Sequence, residues 1–221
     1  METVAPVLAV AAVLALIAGI FLVSVRMEKA RAEALSLACQ ALGFSFEPDV
    51  DLEALKGFGD LPIYSHGHSR KAKNLMTGRA GELDVKLFDY QYTTGGGKNS
   101  HTWRQSVALF PKGGEGLPDF LLAPENLFHK IGQAFGYQDI DFDSAPDFSS
   151  HYLLRGPDEM AIRSAFGAGA LQYFGMHKGW HVEVRGGDIG VYRAGNRAKP
   201  EDLRTFFDET HAAVRVLKGD R

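Results

Sequence analysis

Residues 4–25 form a run of 22 residues without a charged side chain, VAPVLAVAAVLALIAGIFLVSV. At about 1.5 Å of rise per residue, a helix of this length spans roughly 33 Å, which matches the roughly 30 Å hydrocarbon core of a bilayer. The run predicts a transmembrane helix, and residues 1–26 are assigned to this anchor. A cleaved signal peptide is the alternative, but it would have a basic start and a shorter apolar region, whereas Glu2 is the only charged residue ahead of this run.

Basic residues cluster on one side of the predicted anchor. Arg26, Lys29 and Arg31 follow it, and no Lys or Arg precedes it. Because positively charged flanks stay in the cytoplasm, we expect a single-pass protein of the cell inner membrane with its N-terminus outside and its C-terminal domain in the cytoplasm. The single cysteine, Cys39, agrees with a reducing compartment.

The overall charge limits the kinds of partner. The formal net charge is -3 and the pI is near 6.2. Nucleic acid is not expected as a partner, because a domain that binds it normally carries a strongly basic face. The expected partners are the lipid bilayer and an unknown membrane or cytoplasmic protein.

Local patterns divide the rest of the chain into a stalk, a connector and a domain. Good helix formers continue the helix over residues 27–42, and Gly43 is suited to end it. Turn-rich sequence with a short helix at 51–56 completes a connector that ends at residue 59. Residues 60–221 are predicted to form one domain.

Short alternating runs predict strands in this domain, and longer amphipathic runs predict helices. The predicted strands are 63–66, 75–79, 83–92, 102–110, 120–123, 180–185 and 188–193, the last two joined by a tight turn at Gly186-Gly187. The predicted helices are 125–135, 158–174 and a final helix that opens at Pro200. Together they predict an α+β fold in which helices cover one face of a mostly antiparallel sheet.

The segment GGGK at 95–98 resembles part of a phosphate-binding loop. Such a loop needs a glycine at position 92 and Ser or Thr at position 99, where this chain has Tyr92 and Asn99. It also joins a strand to a helix, whereas residues 101–110 resume a strand pattern. The segment is therefore predicted to be the tip of a hairpin.

Two groups of side chains have the chemistry of metal ligands. Asp139, Asp141 and Asp143 in DIDFD would share one face of a strand and could bind a hard cation through oxygen. The simpler interpretation is the solvated side of a half-buried strand. His66 and His68 have a zinc-compatible spacing, but no third ligand lies nearby, so a loop is favoured.

Two further features concern the membrane. Arg70, Lys71 and Lys73 are predicted to form a basic loop, which either is simply solvated or contacts anionic lipid headgroups. Ala11, Ala15 and Gly19 recur every four residues in the anchor, a small-residue pattern that permits close helix packing and a homodimer. No motif for a catalytic residue or a cofactor is found, and none is expected.

Three longer segments carry a resemblance to a protein family. They are LFDYQYTTGGGKNSHTWRQSVALF, LPDFLLAPENLFHKIG and IDFDSAPDFSSHYLLRGPDEMAIRSAF. Over about residues 61–217 the chain resembles uncharacterised bacterial proteins that have one N-terminal membrane helix and one domain of unknown function. The resemblance implies membrane attachment in a bacterium and transfers no ligand or catalytic residue.

These observations favour a membrane-anchored, non-catalytic binding or scaffold domain. The alternative is a membrane-tethered, metal-assisted hydrolase that uses the aspartates of DIDFD. A cleft with convergent carboxylates would favour the enzyme, and a flat face with exposed aromatic side chains would favour the binding domain.

Overall fold

A computed structural model describes residues 4–57, 60–125 and 137–219 of the chain. The helices are α1 (Val4–Gln40), α2 (Leu52–Lys56), α3 (Pro146–Ser149), α4 (Glu159–Ala165), α5 (Ala168–Met176) and α6 (Leu203–Leu217). The strands are β1 (Ser45–Asp49), β2 (His68–Ala80), β3 (Leu83–Thr94), β4 (His101–Phe110), β5 (Phe120–Pro124), β6 (Tyr152–Arg155), β7 (His181–Arg185) and β8 (Asp188–Tyr192). Short 3-10 turns lie at Pro62–Tyr64, Gly97–Asn99 and Pro200–Asp202.

Helix α1 runs for 37 residues without a break, through the predicted anchor and into the predicted stalk. Residues 11–27 are exposed along their length, and the helix is long and apolar enough to cross a membrane. Further along, Leu35 and Cys39 are buried in the core of the domain. One helix therefore includes both the apolar run and part of the folded domain.

The strands form one eight-stranded sheet in the order β1-β2-β3-β4-β8-β7-β5-β6. Each of its pairings is antiparallel, and helices pack on the sheet, so the predicted α+β fold is confirmed. Strand β1 lies inside the range predicted as a connector and pairs with β2, with Ser45 opposite Thr77. The sheet thus begins before the predicted domain boundary at residue 60.

Both glycine-rich turns predicted from the sequence are hairpin tips. Strands β3 and β4 pair from Lys86 opposite Leu109 to Thr94 opposite His101, and GGGK lies between them. Strands β7 and β8 flank Gly186-Gly187, both of which have positive φ. The hairpin interpretation of GGGK is confirmed.

The two faces of the sheet are covered differently. The larger core packs α1, α5 and α6 against one face, through residues such as Leu35, Phe174 and Val214. The smaller core packs Leu55 of α2 and the turn at Pro62–Tyr64 against the other face. Successive residues of the central strands point to opposite faces, so Leu87 belongs to the larger core and Phe88 to the smaller one.

Some predicted elements have different bounds. The helix predicted at 158–174 is two helices, α4 and α5, because the chain leaves helical conformation at Phe166 and Gly167. The strand predicted at 63–66 is the 3-10 turn, and β6 was missed. The helix predicted at 125–135 lies outside the described residues except for Glu125.

Candidate functional site

A buried carboxylate joins α1 to the centre of the sheet. Asp89 of β3 is 6% exposed and receives two hydrogen bonds of 2.8 Å from Arg31 of α1, through Nε and Nη2. Arg197 Nη2 donates at 2.9 Å, Asn74 Nδ2 at 2.9 Å and Ser106 Oγ at 3.0 Å. Burial alone would raise the pKa of Asp89, but the hydrogen bonds and charges of the two arginines outweigh burial and hold this pKa below its usual value.

The same arginine connects Asp89 to a second carboxylate on α1. Arg197 donates from Nη1 and Nη2 to the two oxygens of Glu28 at 2.8 and 3.0 Å, which lowers the pKa of Glu28. Arg31 also donates to the carbonyl of Ala198 at 2.8 Å. We call Glu28, Arg31, Asp89 and Arg197 the Asp89 network. Bidentate pairs fix orientation as well as distance, so this network holds α1 in one position on the sheet.

A cleft opens beside this network. Its lining consists of Glu28, Lys71, Lys73, Asp89, Tyr90, Gln91, Arg104 and Arg197, that is, four cations and two carboxylates. We call it the basic cleft. Lys71 lies opposite Gln91, and Gln91 lies opposite Arg104, so these three side chains form one row across β2, β3 and β4.

The cations of the basic cleft differ in how far they are neutralised. Lys73 makes no ion pair within the described residues, but Asp49 and Asp89 lie opposite it in the neighbouring strands. Arg197 is already bound to two carboxylates. Lys71 and Arg104 are exposed, and neither makes an ion pair within the described part of the chain. The uncompensated positive charge is therefore concentrated on Lys71 and Arg104.

The basic cleft lies at the end of the domain nearest the anchor. The ring of Phe44, beyond the end of α1, packs on Gly78, and Gly78 pairs with Val85 in β3. Four residues further along β3, Asp89 contacts Arg31. Moving along β3 toward the β3–β4 tip therefore runs alongside α1 toward its N-terminus. Gln91 lies on the tip side of Asp89, so its row is nearer the apolar run than Asp89 is.

The predicted basic loop is part of strand β2, so that prediction is wrong in its local structure. Alternation along β2 sends Arg70 to the other face, where its guanidinium donates to the carbonyls of Tyr64 at 2.6 Å and Gly67 at 2.8 Å. Lys71 and Lys73 stay exposed in the basic cleft. Arg104 and Asp89 carry no signal of this site in the sequence, because only the strand register brings them beside these lysines.

The aspartates of DIDFD do not form the predicted strand face. Residues 137–142 have no strand conformation, and one oxygen of Asp139 accepts the amides of Ile140 at 3.0 Å and Leu154 at 2.8 Å. Asp141 and Asp143 are exposed. Within residues 4–57, 60–125 and 137–219, no three His, Cys, Asp or Glu side chains are grouped as metal ligands.

The structure shows the surroundings of the two histidines considered as metal ligands and of the small residues in the apolar run. His68 begins β2, and its ring nitrogens lie 3.0 Å from Ser69 Oγ and from the carbonyl of Gly95, while the His66 ring packs edge-on against Tyr92. Ala11, Ala15 and Gly19 lie exposed on α1, four residues apart and so on one side of the helix. The predicted dimer through them stays a prediction.

A second polar group lies buried in the sheet. Glu183 is 1% exposed and accepts from the amide of Ile63 at 3.0 Å and the hydroxyl of Tyr192 at 2.8 Å. Burial raises the pKa of Glu183 to about 7. His181 lies two residues before it in β7, fully buried and stacked on Tyr192, and burial lowers its pKa to about 3. Both groups favour the neutral form.

Comparisons with known proteins give a match in fold. No protein-family model and no curated protein matches the chain. The crystal structure of the mycobacterial trehalose monomycolate transport factor A, TtfA, matches it with a TM-score of 0.58 and 14% sequence identity, over 84% of this chain and 91% of that one. The two proteins share a fold, and the resemblance to uncharacterised single-pass bacterial proteins stays a prediction.

Proposed function

We propose that this chain is a single-pass, non-catalytic binding protein of the cell inner membrane, whose cytoplasmic domain presents a surface to a membrane partner. The Asp89 network carries this proposal. It binds the sheet to α1 at Glu28 and Arg31, immediately after the apolar run that ends at Val25. The domain therefore has a fixed height and orientation relative to the anchor, which is what a scaffold at a membrane requires.

The structural neighbour supports the same class of function. TtfA is named a transport factor, and the match covers most of both chains. We propose a comparable supporting role for this chain, with a partner of its own.

The metal-assisted hydrolase is less well supported by the geometry. It requires the aspartates of DIDFD to converge, whereas Asp139 is bound to two backbone amides and its neighbours are exposed. The backbone bonds of Asp139 position the loop before β6, where Ile140 packs into the core. A structural role therefore accounts for the most buried of the three carboxylates.

The test is to loosen the Asp89 network without removing the anchor. Arg197→Gln breaks the bonds to Glu28 and one bond to Asp89, while Arg31 keeps Asp89 paired. We expect amides near residues 28–31 to exchange hydrogen roughly ten-fold faster in the reconstituted full chain. After cross-linking in cells and purification in mild detergent, we expect wild-type protein to retain a discrete membrane protein and the variant to lose most of it.

Arg79→Gln is the matched control. It removes an arginine from exposed pairs with Glu82 and Asp84, at the far end of β2 from the basic cleft. This variant should behave as wild type in both measurements. The proposal fails if wild-type protein retains no partner, or if Arg197→Gln frees α1 and yet retains the partner in full.

A further inference from the structure

We infer that the exposed cations at the mouth of the basic cleft bind the phosphate of an anionic lipid headgroup; this rests on the proposed membrane attachment and names a ligand for it. The first step is position. Glu28 lines the cleft and lies three residues after Val25, the last residue of the apolar run. At about 1.5 Å per residue this is roughly 4.5 Å along the helix, within the headgroup layer that adds roughly 5–7 Å to each side of the hydrocarbon core.

The second step is charge. Lys71 and Arg104 are exposed cations without an ion-pair partner in the described residues, and they flank Gln91 in one row. A guanidinium can donate two parallel hydrogen bonds to a phosphate, an ammonium adds a point charge, and an amide adds a neutral donor. The row therefore offers a phosphate the donors it needs, whereas a zwitterionic headgroup would also bring a cation toward them.

The third step is rigidity. Lys71, Gln91 and Arg104 are held by three adjacent strands, and the Asp89 network fixes those strands to α1. The backbone that carries the donors is thus in place before any ligand arrives, so binding has to order only their side chains. Arg26 and Lys29, both exposed on α1, add positive charge at the same level of the membrane.

The experiment uses the full-length chain in mild detergent at low salt. Binding of dioctanoyl phosphatidylglycerol, dioctanoyl phosphatidylcholine and inorganic phosphate is measured separately by native mass spectrometry and calorimetry. We expect phosphatidylglycerol to bind more tightly than phosphatidylcholine or inorganic phosphate. Its binding should weaken as the salt concentration rises. Lys71→Gln with Arg104→Gln should reduce its affinity about 25-fold, or about five-fold for each charge.

The control removes the same two charges elsewhere. Arg79→Gln with Lys112→Gln alters one arginine and one lysine, both exposed, at the end of the sheet opposite the β3–β4 tip. The affinity of this control variant for phosphatidylglycerol should stay within two-fold of the wild-type affinity. Circular dichroism and thermal unfolding of both double variants check that each is folded; if the cleft variant is not, Lys71→Gln alone is compared with Lys112→Gln.

Three results would overturn the inference. Equal losses in the two double variants would mean that only net charge matters. Equal binding of the two lipids would remove the headgroup preference. Inorganic phosphate that binds as tightly as the lipid would assign the cleft to a free anion. Each of these can occur while the protein partner is still retained, so failure here is distinct from failure of the proposed function.

Discussion

His181 and Glu183 give the domain two opposing dependences on pH. The pKa of Glu183 is raised from 4.5 to about 7, so its contribution to stability is complete below pH 4.5 and is lost as pH rises toward 7. The pKa of His181 is lowered from 6.5 to about 3, so its contribution is complete above pH 6.5 and is lost as pH falls toward 3. Between about pH 4.5 and 6.5 the two effects offset one another.

Substituting Glu183 separates these effects. In Glu183→Gln the amide oxygen can still accept from Ile63 and Tyr192, but no charge is buried at high pH. We expect the variant to exceed wild type in free energy of unfolding by about 1–3 kcal/mol at pH 8, and to match it near pH 4. Urea unfolding of the detergent-solubilised chain at the two pH values measures this.

The prediction is contradicted if the free energies of unfolding of the variant and the wild type differ by the same amount at the two pH values. That result would mean that Glu183 titrates as an ordinary carboxyl group. In the variant, the loss of stability between pH 6.5 and 4.5 should also be steeper than in wild type, because the histidine effect is no longer offset.

At the scale of the element, three positions of the β3–β4 tip, Gly95, Gly96 and Lys98, differ in their backbone angles and surroundings. Gly95 has φ of 73°, and a Cβ there would lie 2.4 Å from the carbonyl oxygen of Asn99. Gly96 has an extended φ of -158° and open space around it, and Lys98 is exposed. Only Gly95 requires glycine for both its backbone angle and its surroundings.

We therefore expect Gly95→Ala to lower the free energy of unfolding by about 1–2 kcal/mol, and to lower Tm by roughly 2–8 °C. Gly96→Ala and Lys98→Ala are the controls and should each lie within about 1 °C of wild type. Thermal unfolding followed by circular dichroism makes the comparison. A stable Gly95→Ala variant would show that the tip adopts another turn, and nucleotide binding lost in Lys98→Ala would revive the phosphate-loop hypothesis.

The elements that the sequence predicts well are those set by local signals. Both glycine-rich hairpins, the long first helix and the amphipathic last helix follow from turn residues and periodicity. Strand β1 was missed because SFEPD contains Pro48 and two acids and is held by pairing with β2. The basic cleft could not be predicted, because Lys71 and Arg104 meet only through the register of three strands.

At the scale of the whole molecule, α1 connects the apolar run to the folded domain. Residues 11–25 of its apolar run are exposed, and its second half contributes Leu35 and Cys39 to the core. Between them, Glu28 and Arg31 bind the sheet through Arg197 and Asp89. Removing one partner of a buried pair costs roughly 3–5 kcal/mol, so the domain resists separation from this helix.

This architecture makes the orientation of the anchor decide which compartment the basic cleft faces. Arg26, Lys29 and Arg31 follow the apolar run, so we expect the domain in the cytoplasm and the N-terminus outside. In intact cells, a membrane-impermeant thiol reagent should label Thr3→Cys and leave Asn196→Cys unlabelled. The native Cys39 is buried and should stay silent.

The control for accessibility is built into the same pair of variants. Asn196 is exposed on the domain, so Asn196→Cys should become labelled once the membrane is permeabilised. Labelling of Asn196→Cys but not Thr3→Cys in intact cells would place the domain outside. The basic cleft would then face the outer leaflet of the membrane, where the positive-inside argument no longer applies and the ligand inferred for the cleft would have to be sought among the lipids of that leaflet.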